Sequence, residues 1–508
     1  MRDGLTAWTA ASWLVAPTVR ATTVLTDPEG RIVAVGDEGL TASAAHVESL
    51  GGRVASAGLW DSHLHWLALA EQASQLDLTG ATSLRDLYQR VQVASAVLPP
   101  DQVLMGAGWN QNRWGGEWPD RTGLDHVAPG RPVVLWARDH HGLVANSVAF
   151  SRLWPDGEPV DPPGGRYERR HGALTGIVRE TAANELAGRL PAMPVEALLE
   201  RLPALVERLL RFGLVGATGM EPERVRGALE AHLRQTQTFR SQVFLTDDEP
   251  GWTSPSSPWF RVVGAKRFLD GALGTRTAAV ARPYADGSGE GVWRIARDRV
   301  PGELAEAAAD GAAAVAVHAI GDAAVAAALD AFAHLPVARS GVAHRVEHAQ
   351  LMDPASVARM GHIPGIVASM QPVHLLDDRW AMQEAWPDRL EWSFPLASLA
   401  AAGVPVLLGS DAPIETPDPA VGMQAAVWRA RAGEPAWQPQ EAVTPWQALG
   451  GYTSAAAAAD QRIGGVLAVG RWADFTVYDR DPLEALAYRE PFSAVGTVVG
   501  GRWAYRAF

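Results

Sequence analysis

The segment Asp61-Ser62-His63-Leu64-His65 places two histidines two residues apart at the end of an apolar run. Alternate side chains of a strand share a face, so both imidazoles would enter the same space as a clamp for a divalent metal. His318 closes the run 313–318, His348 closes 345–348, and Asp411 follows 404–410. Any one of them alone reads as a hydrogen-bonded core histidine or a helix-capping aspartate. Four imidazoles and a carboxylate, each at the end of an apolar run, point instead to a metal centre. A sixth residue is singled out by rarity: of 44 basic residues, 43 are Arg and one is Lys266, inside the run 262–269. An ammonium buried beside divalent cations would be repelled. Reaction with carbon dioxide would turn that lysine into an anionic carbamate able to bridge two ions. Arginine stays protonated and cannot follow.

Such residues need a scaffold that brings distant run ends to one rim. From about residue 200, β-rich apolar runs at 214–220, 242–246, 262–269, 313–318, 345–348, 365–371 and 404–410 alternate with helical stretches at 222–237, 301–311, 322–334, 354–361 and 393–402. The run 53–63 adds an eighth strand, the number that closes an α/β (β/α)8 TIM barrel. Strand-like runs at both termini (22–25, 31–35, 472–478 and 494–499) predict a small β-sandwich built from 1–57 plus 462–508. The barrel would then comprise 58–75 plus 196–461. The Trp-, Pro- and Gly-rich stretch 76–195 reads as an inserted domain over the barrel mouth, where loops build active sites.

Composition narrows the function further. At ~150 residues per domain, 508 residues suggest about three units. Zero cysteines exclude disulfides, thiolate metal sites and a cysteine nucleophile. A net charge of −13 without a basic run argues against a nucleic-acid partner. His318, Asp322 and Asp330 interrupt the alanine-rich stretch 311–333, so no membrane span is expected. The first residues lack a basic region ahead of an apolar core, which predicts a cytoplasmic protein. The expected partner is a small-molecule substrate, with a homodimer left open.

The set D-x-H-x-H at 61–65, K-x-x-x-D-G-x-L-G-x-R-T-A at 266–278, H-A-I-G-D at 318–322, E-H-A-Q at 347–350 and S-D-A-P at 410–413 resembles the amidohydrolase superfamily over nearly the whole chain. The branch is the one often called amidohydrolase family 3, which includes N-substituted formamide deformylase-like proteins. The resemblance implies one or two divalent metal ions, zinc first among them. His63 and His65 would hold one ion, His318 and His348 the other, with carbamylated Lys266 between them. Asp411 would touch the first ion and act as general base and acid, forming the catalytic set with Lys266 and His348. The reaction implied is hydrolysis of a linear amide, N-substituted formamide or acylamine. Deamination, cyclic amide or lactone hydrolysis, and a non-catalytic binding barrel stay as alternatives. Candidate pocket residues are Trp109, Asn110, Trp114, His140, His141 and Asn146 in the insert, with Arg345, Gln371 and His374 on the barrel. An aromatic-rich mouth would suit an apolar or aryl-bearing amide; packing of the insert is the competing role for the tryptophans.

Overall fold

Eight parallel strands lie side by side in chain order: Leu59–Leu64 (β1), Leu214–Glu221 (β2), Arg240–Leu245 (β3), Phe260–Phe268 (β4), Ala314–Ala319 (β5), His344–His348 (β6), Ile366–Met370 (β7) and Val406–Leu408 (β8). Seven of them overlap one apolar run each, and β1 takes only the second half of the run 53–63. Parallel strands are covered on both faces, so they read as continuous apolar runs rather than alternating ones; every residue of β1, β2, β5, β6 and β7 is buried. The computed structural model describes residues 4–99, 102–139, 141–190, 194–247, 257–308, 313–338, 341–460 and 464–508.

The sheet nearly closes where β8 returns to β1. The Asp411 amide donates to the His63 carbonyl at 2.7 Å, the His65 amide donates to the Ala412 carbonyl at 2.9 Å, and Leu64 bridges Ala412 in parallel. Helices alternate with the strands and press one stripe inward. In Val195–Arg211, Leu198, Leu202, Leu205, Val206, Leu209 and Leu210 are buried, a three-and-four spacing that keeps one helical face on the barrel. Among the described residues no helix is long and apolar enough to cross a membrane.

The run 53–63, expected as one strand, is two. Val54–Ala57 belongs to a terminal sheet and Leu59–Leu64 to the barrel, with Gly58 between them. Gly58 donates its amide to the Asp474 carbonyl at 2.8 Å, and a Cβ there would stand 2.7 Å from Val215 Cγ2. Only a glycine lets the chain change sheets so close to β2. The terminal sheet joins both ends of the chain: Val54–Ala57 pairs antiparallel with Phe475–Tyr478. Its eight strands form one continuous hydrogen-bonded sheet. The longest of them, Thr6–Ala16, is one the sequence reading passed over.

Residues between β1 and β2 build a separate six-stranded sheet running from Leu76–Asp77 to Gly165–Arg170. It reaches back to the barrel through loops. Gln111 Nε2 donates to the Gly274 carbonyl at 3.1 Å, Arg179 donates to the Thr275 carbonyl at 3.3 Å, and Arg138 Nε donates to the Ile414 carbonyl at 3.1 Å.

Candidate metal centre and active-site cleft

Each strand end holds its side chain by a named contact. Asp61, buried in β1, accepts the amides of His63 and Ser410, both at 3.0 Å, and the Ser410 hydroxyl at 2.5 Å. One carboxylate therefore fixes the His63 backbone against the loop that carries Asp411. Glu221, the last residue of β2, accepts the amides of Trp66 at 2.6 Å and Leu67 at 3.2 Å. It thereby caps the helix Trp66–Gln72 that follows His65. Asp270 accepts amides from Ala279 at 2.9 Å, Ile320 at 3.1 Å and Gly321 at 2.8 Å, tying the loop after β4 to the end of β5 beside His318.

Four of the sequence-expected imidazoles and the carboxylate meet at one end of the barrel. Ring centroids are 5.2 Å apart for His63 and His65, 5.0 Å for His63 and His348, and 4.5 Å for His318 and His348. Asp411 Oδ1 lies 3.1 Å from His65 Nε2 and 3.3 Å from His63 Nε2. One nitrogen each of His63 and His348 and one oxygen of Asp411 fall within 4.8 Å of one another, a spacing one divalent ion can span. Outer partners leave a nitrogen free on each ring. His63 Nδ1 is 2.7 Å from Glu347 Oε2, His348 Nδ1 is 2.8 Å from Gln371 Oε1, and His318 Nε2 is 3.1 Å from the Gly271 carbonyl. Backbone strain concentrates here: His348 has φ 71° and Asp411 φ 60°, left-handed values that cost a non-glycine residue ~1–3 kcal/mol.

The electrostatics suit metal donors. Burial drives His318 and His348 well below the ordinary imidazole range, so these two rings are neutral bases, and it lowers His63 as well, against Glu347 and Asp411. Burial alone would raise the Asp411 carboxyl, but His63, His374 and His65 outweigh it and hold it well below the usual carboxylate range. Lys266 is 1% exposed, and its amine has no hydrogen-bond partner. Burial pushes that amine down to about 8, with Glu347 and Asp411 opposing the shift. An orphaned buried amine among neutral imidazoles and an ionised carboxylate fits a divalent cation and a lysine able to react in its neutral form.

The candidate pocket residues divide. Asn110, His141, Gln371 and His374 line the cleft over His318, His348 and Asp411, together with Gln111, Arg138, Asp139, Gln350, Asp378 and Glu415. Four others lie elsewhere. Trp109 is fully buried inside the insert, its indole donating to the Leu135 carbonyl at 3.2 Å and its ring edge-on to Trp118. Trp114 packs on the same cluster. Asn146 caps the helix Ser147–Leu153, its amide oxygen accepting the amides of Val133 and Ala149. Arg345 is fully buried, ion-paired with Asp460 and donating to the Ser62 carbonyl at 3.0 Å. His140 lies outside the described residues. The expected aromatic mouth is thereby corrected, because the insert consumes its tryptophans in its own core. Phe394 is the one carbocyclic ring among the cleft residues described.

Asp61, Asp270 and Glu347 stand inside the sequence motifs but were given no role there, and Glu221, which follows the run 214–220, was passed over. So was Glu180, which ends a strand of the insert. It lies 3.0 Å from His141 Nδ1 and accepts the hydroxyls of Thr275 and Thr277. Thr275 and Thr277 of the fourth-strand motif thus anchor the insert rather than the metal centre.

Comparison with known proteins agrees with this geometry. The model of the amidohydrolase family matches residues 46–505. YtcJ of Bacillus subtilis (strain 168) is 31% identical over 456 residues, covering 85% of each chain. The N-substituted formamide deformylase of Arthrobacter pascens is 28% identical over 494 residues, covering 90% of this chain and 89% of that one. The crystal structure of an uncharacterized metal-dependent hydrolase from Pyrococcus horikoshii OT3 superposes with a TM-score of 0.75 at 26% identity, covering 94% of this chain and 98% of that one. The chain belongs to the amidohydrolase family and is a metal-dependent hydrolase of carbon–nitrogen bonds.

Proposed function

We propose that this protein hydrolyses a linear, non-peptide C–N bond of the N-substituted formamide or acylamine type. His63, His65, Lys266, His318, His348 and Asp411 would hold one or two zinc ions, with Lys266 as its carbamate. The observation that carries this reading is Lys266: a buried amine with no hydrogen-bond partner, within the field of Glu347 and Asp411, and alone of its kind in a chain of arginines. The likeness to a formamide deformylase along nine-tenths of the chain supports the bond type. We also take the chain as three units: a terminal β-sandwich of 1–57 plus 462–508, the barrel of 58–75 plus 196–461, and an inserted domain of 76–195 over the mouth.

A divalent ion held by these residues would lower the pKa of a bound water towards ~7 and polarise the substrate carbonyl. Asp411 is ionised and faces the cleft, so it accepts a proton from the attacking water. It then returns that proton to the departing nitrogen. His374 Nε2 lies 3.4 Å from Asp411 Oδ2, near enough to favour the ionised carboxylate. Gln371 and Glu347 fix the ring orientations of His348 and His63.

The test is turnover of a panel of formamides, acylamines, lactams and amino-heterocycles by metal-stripped and zinc-loaded protein, with bound metal counted. Zinc-dependent release of amine from the first two groups is expected. Asp411→Asn should lower kcat at least a thousandfold while zinc stays bound. Turnover of lactams or heterocycles alone, or near-normal activity of Asp411→Asn, would overturn the assignment.

A further inference from the structure

A fifth imidazole joins the four expected donors in one chain of ring contacts. Centroids are 5.1 Å apart from His141 to His318, 4.5 Å from His318 to His348, 5.0 Å from His348 to His63 and 5.2 Å from His63 to His65. Asp411 stands at the end of that chain formed by His63 and His65. His141, which the insert supplies, joins it at the His318 end and lines the cleft.

The His141 ring is held from several sides. Its amide donates to Asp139 Oδ1 at 3.1 Å, its carbonyl accepts the Glu180 amide at 2.8 Å, and its Nδ1 lies 3.0 Å from Glu180 Oε2. Glu180 is 2% exposed, and its other oxygen accepts the hydroxyls of Thr275, at 3.3 Å, and Thr277. A Cβ on Gly271 would stand 2.5 Å from that same oxygen, so the D-G step of the motif leaves room for the carboxylate. Glu180 itself has φ 54° and ψ −127°, a conformation that a non-glycine residue keeps only where its surroundings impose it. Gly271, Thr275 and Thr277 of a barrel motif thus all serve one strained carboxylate of the insert, and through it the orientation of His141.

Such a ring is a fixed wall. Rings 5.1 Å apart are in contact, so no carbon chain passes between His141 and His318. The cleft over the donors holds about 60 Å3, against the ~150 Å3 that admits a benzene ring in an engineered cavity. We infer that His141 is a specificity-determining residue that limits the acyl half of the substrate to a formyl or acetyl group, with Glu180 as its positioning residue. The inference rests on the hydrolytic reading above, in which the carbonyl oxygen turns to the metal and the departing nitrogen to Asp411. The third bond of the carbonyl carbon then runs towards the end of the imidazole chain away from Asp411, where the locked ring closes the space. The amine half is free of this limit. Discrimination by a wall of fixed volume acts by exclusion and needs no added attraction for the short acyl group.

The test keeps one leaving amine and lengthens the acyl group: N-butylformamide, N-butylacetamide and N-butylbutanamide. In zinc-loaded protein kcat/KM should fall at least a hundredfold from the acetamide to the butanamide. His141→Ala should narrow that ratio at least tenfold, while the ratio of N-hexylacetamide to N-ethylacetamide, which varies only the amine, should not move. Glu180→Ala, which frees the ring, should narrow the acyl ratio by a smaller factor; a merely structural role would lower turnover of all the amides alike. Calorimetry of zinc-loaded protein with acetate and butanoate, the acid products, reads the same space without turnover, and His141→Ala should abolish a preference for acetate. If His141→Ala loses its zinc, His141→Asn, smaller than an imidazole and still able to donate to Glu180, reads the same ratios. An acyl ratio unchanged in these variants, or equal rates and affinities across acyl length in the parent protein, would overturn the inference. Acid binding that prefers acetate and relaxes in the variants, without hydrolysis of any amide, would leave it standing and overturn the linear-amide reading instead.

Discussion

Lys266 sets stability against function. Burial takes its amine from the ordinary 10.5 to about 8. The folded, metal-free chain therefore binds fewer protons than the unfolded one between those values. Its stability rises with pH across that window and is lowest below it, at a cost of up to about 3 kcal/mol at pH 7. Lys266→Met should then raise the melting midpoint of metal-stripped protein at pH 7 and flatten its rise towards pH 10, because an apolar side chain of similar length replaces an unpaired buried cation. The same change should abolish turnover and lower zinc content. Melting curves and metal analysis check both, and an unchanged or lower midpoint would show that the ammonium is compensated in the native chain. The residues found from sequence, His63, His318, His348 and Asp411, were legible because each ends an apolar run. Asp61, Glu221 and Glu347 were not, because what makes them matter lies far along the chain. The Asp61 link to Ser410 spans 349 positions, and the Glu347 contact with His63 spans 284.

At the scale of elements, barrel strands show in sequence because both faces are covered, whereas Thr6–Ala16 interleaves Thr, Ser and Ala with Trp and so resembled no strand. A change of sheet inside one apolar run is equally silent, since Val54–Ala57 leads straight on to Leu59–Leu64 and only the intervening glycine marks the switch. Gly58 and Gly227 show how context decides a glycine's role. A side chain at Gly58 meets the Val215 methyl groups, while one at Gly227, inside the helix Glu223–Thr236, meets nothing within 4 Å. Gly58→Val should force β1 from β2 and destabilise by ~1–3 kcal/mol or more. Zinc occupancy should fall with it, since His63 and His65 end the displaced strand. Gly227→Ala should stabilise by ~0.5–1 kcal/mol through helix propensity and leave zinc binding alone. Denaturant midpoints and zinc content of the two variants decide the matter, and equal effects would remove Gly58 from its place at the junction.

For the molecule as a whole, the metal donors come from the barrel but much of the cleft wall comes from the insert, so activity depends on how firmly the two are joined. The joint converges on Asp377, which receives Arg113 and Arg138 from the insert and Arg431 from beyond β8. Arg138 also pairs with Glu415 and donates to the Ile414 carbonyl, three residues past Asp411, so it connects the latch to the proposed base. An isolated exposed pair contributes little, ~0.3–0.5 kcal/mol for one spaced four apart on a helix. A carboxylate 12% exposed and shared by three guanidiniums is different, because its removal leaves those cations facing one another. Asp377→Ala should therefore loosen the insert as a unit. Amide exchange should quicken across 104–145 and 411–416, and KM should rise about tenfold with a smaller change in kcat. Arg211→Ala, which breaks a solvent-exposed pair with Glu207, should change neither. If exchange in the insert of Asp377→Ala matches that of the parent chain, apolar packing rather than this ion cluster holds the cleft closed. The KM effect should then be absent too, since the wall carrying Asn110, Gln111, Asp139 and His141 would not have moved.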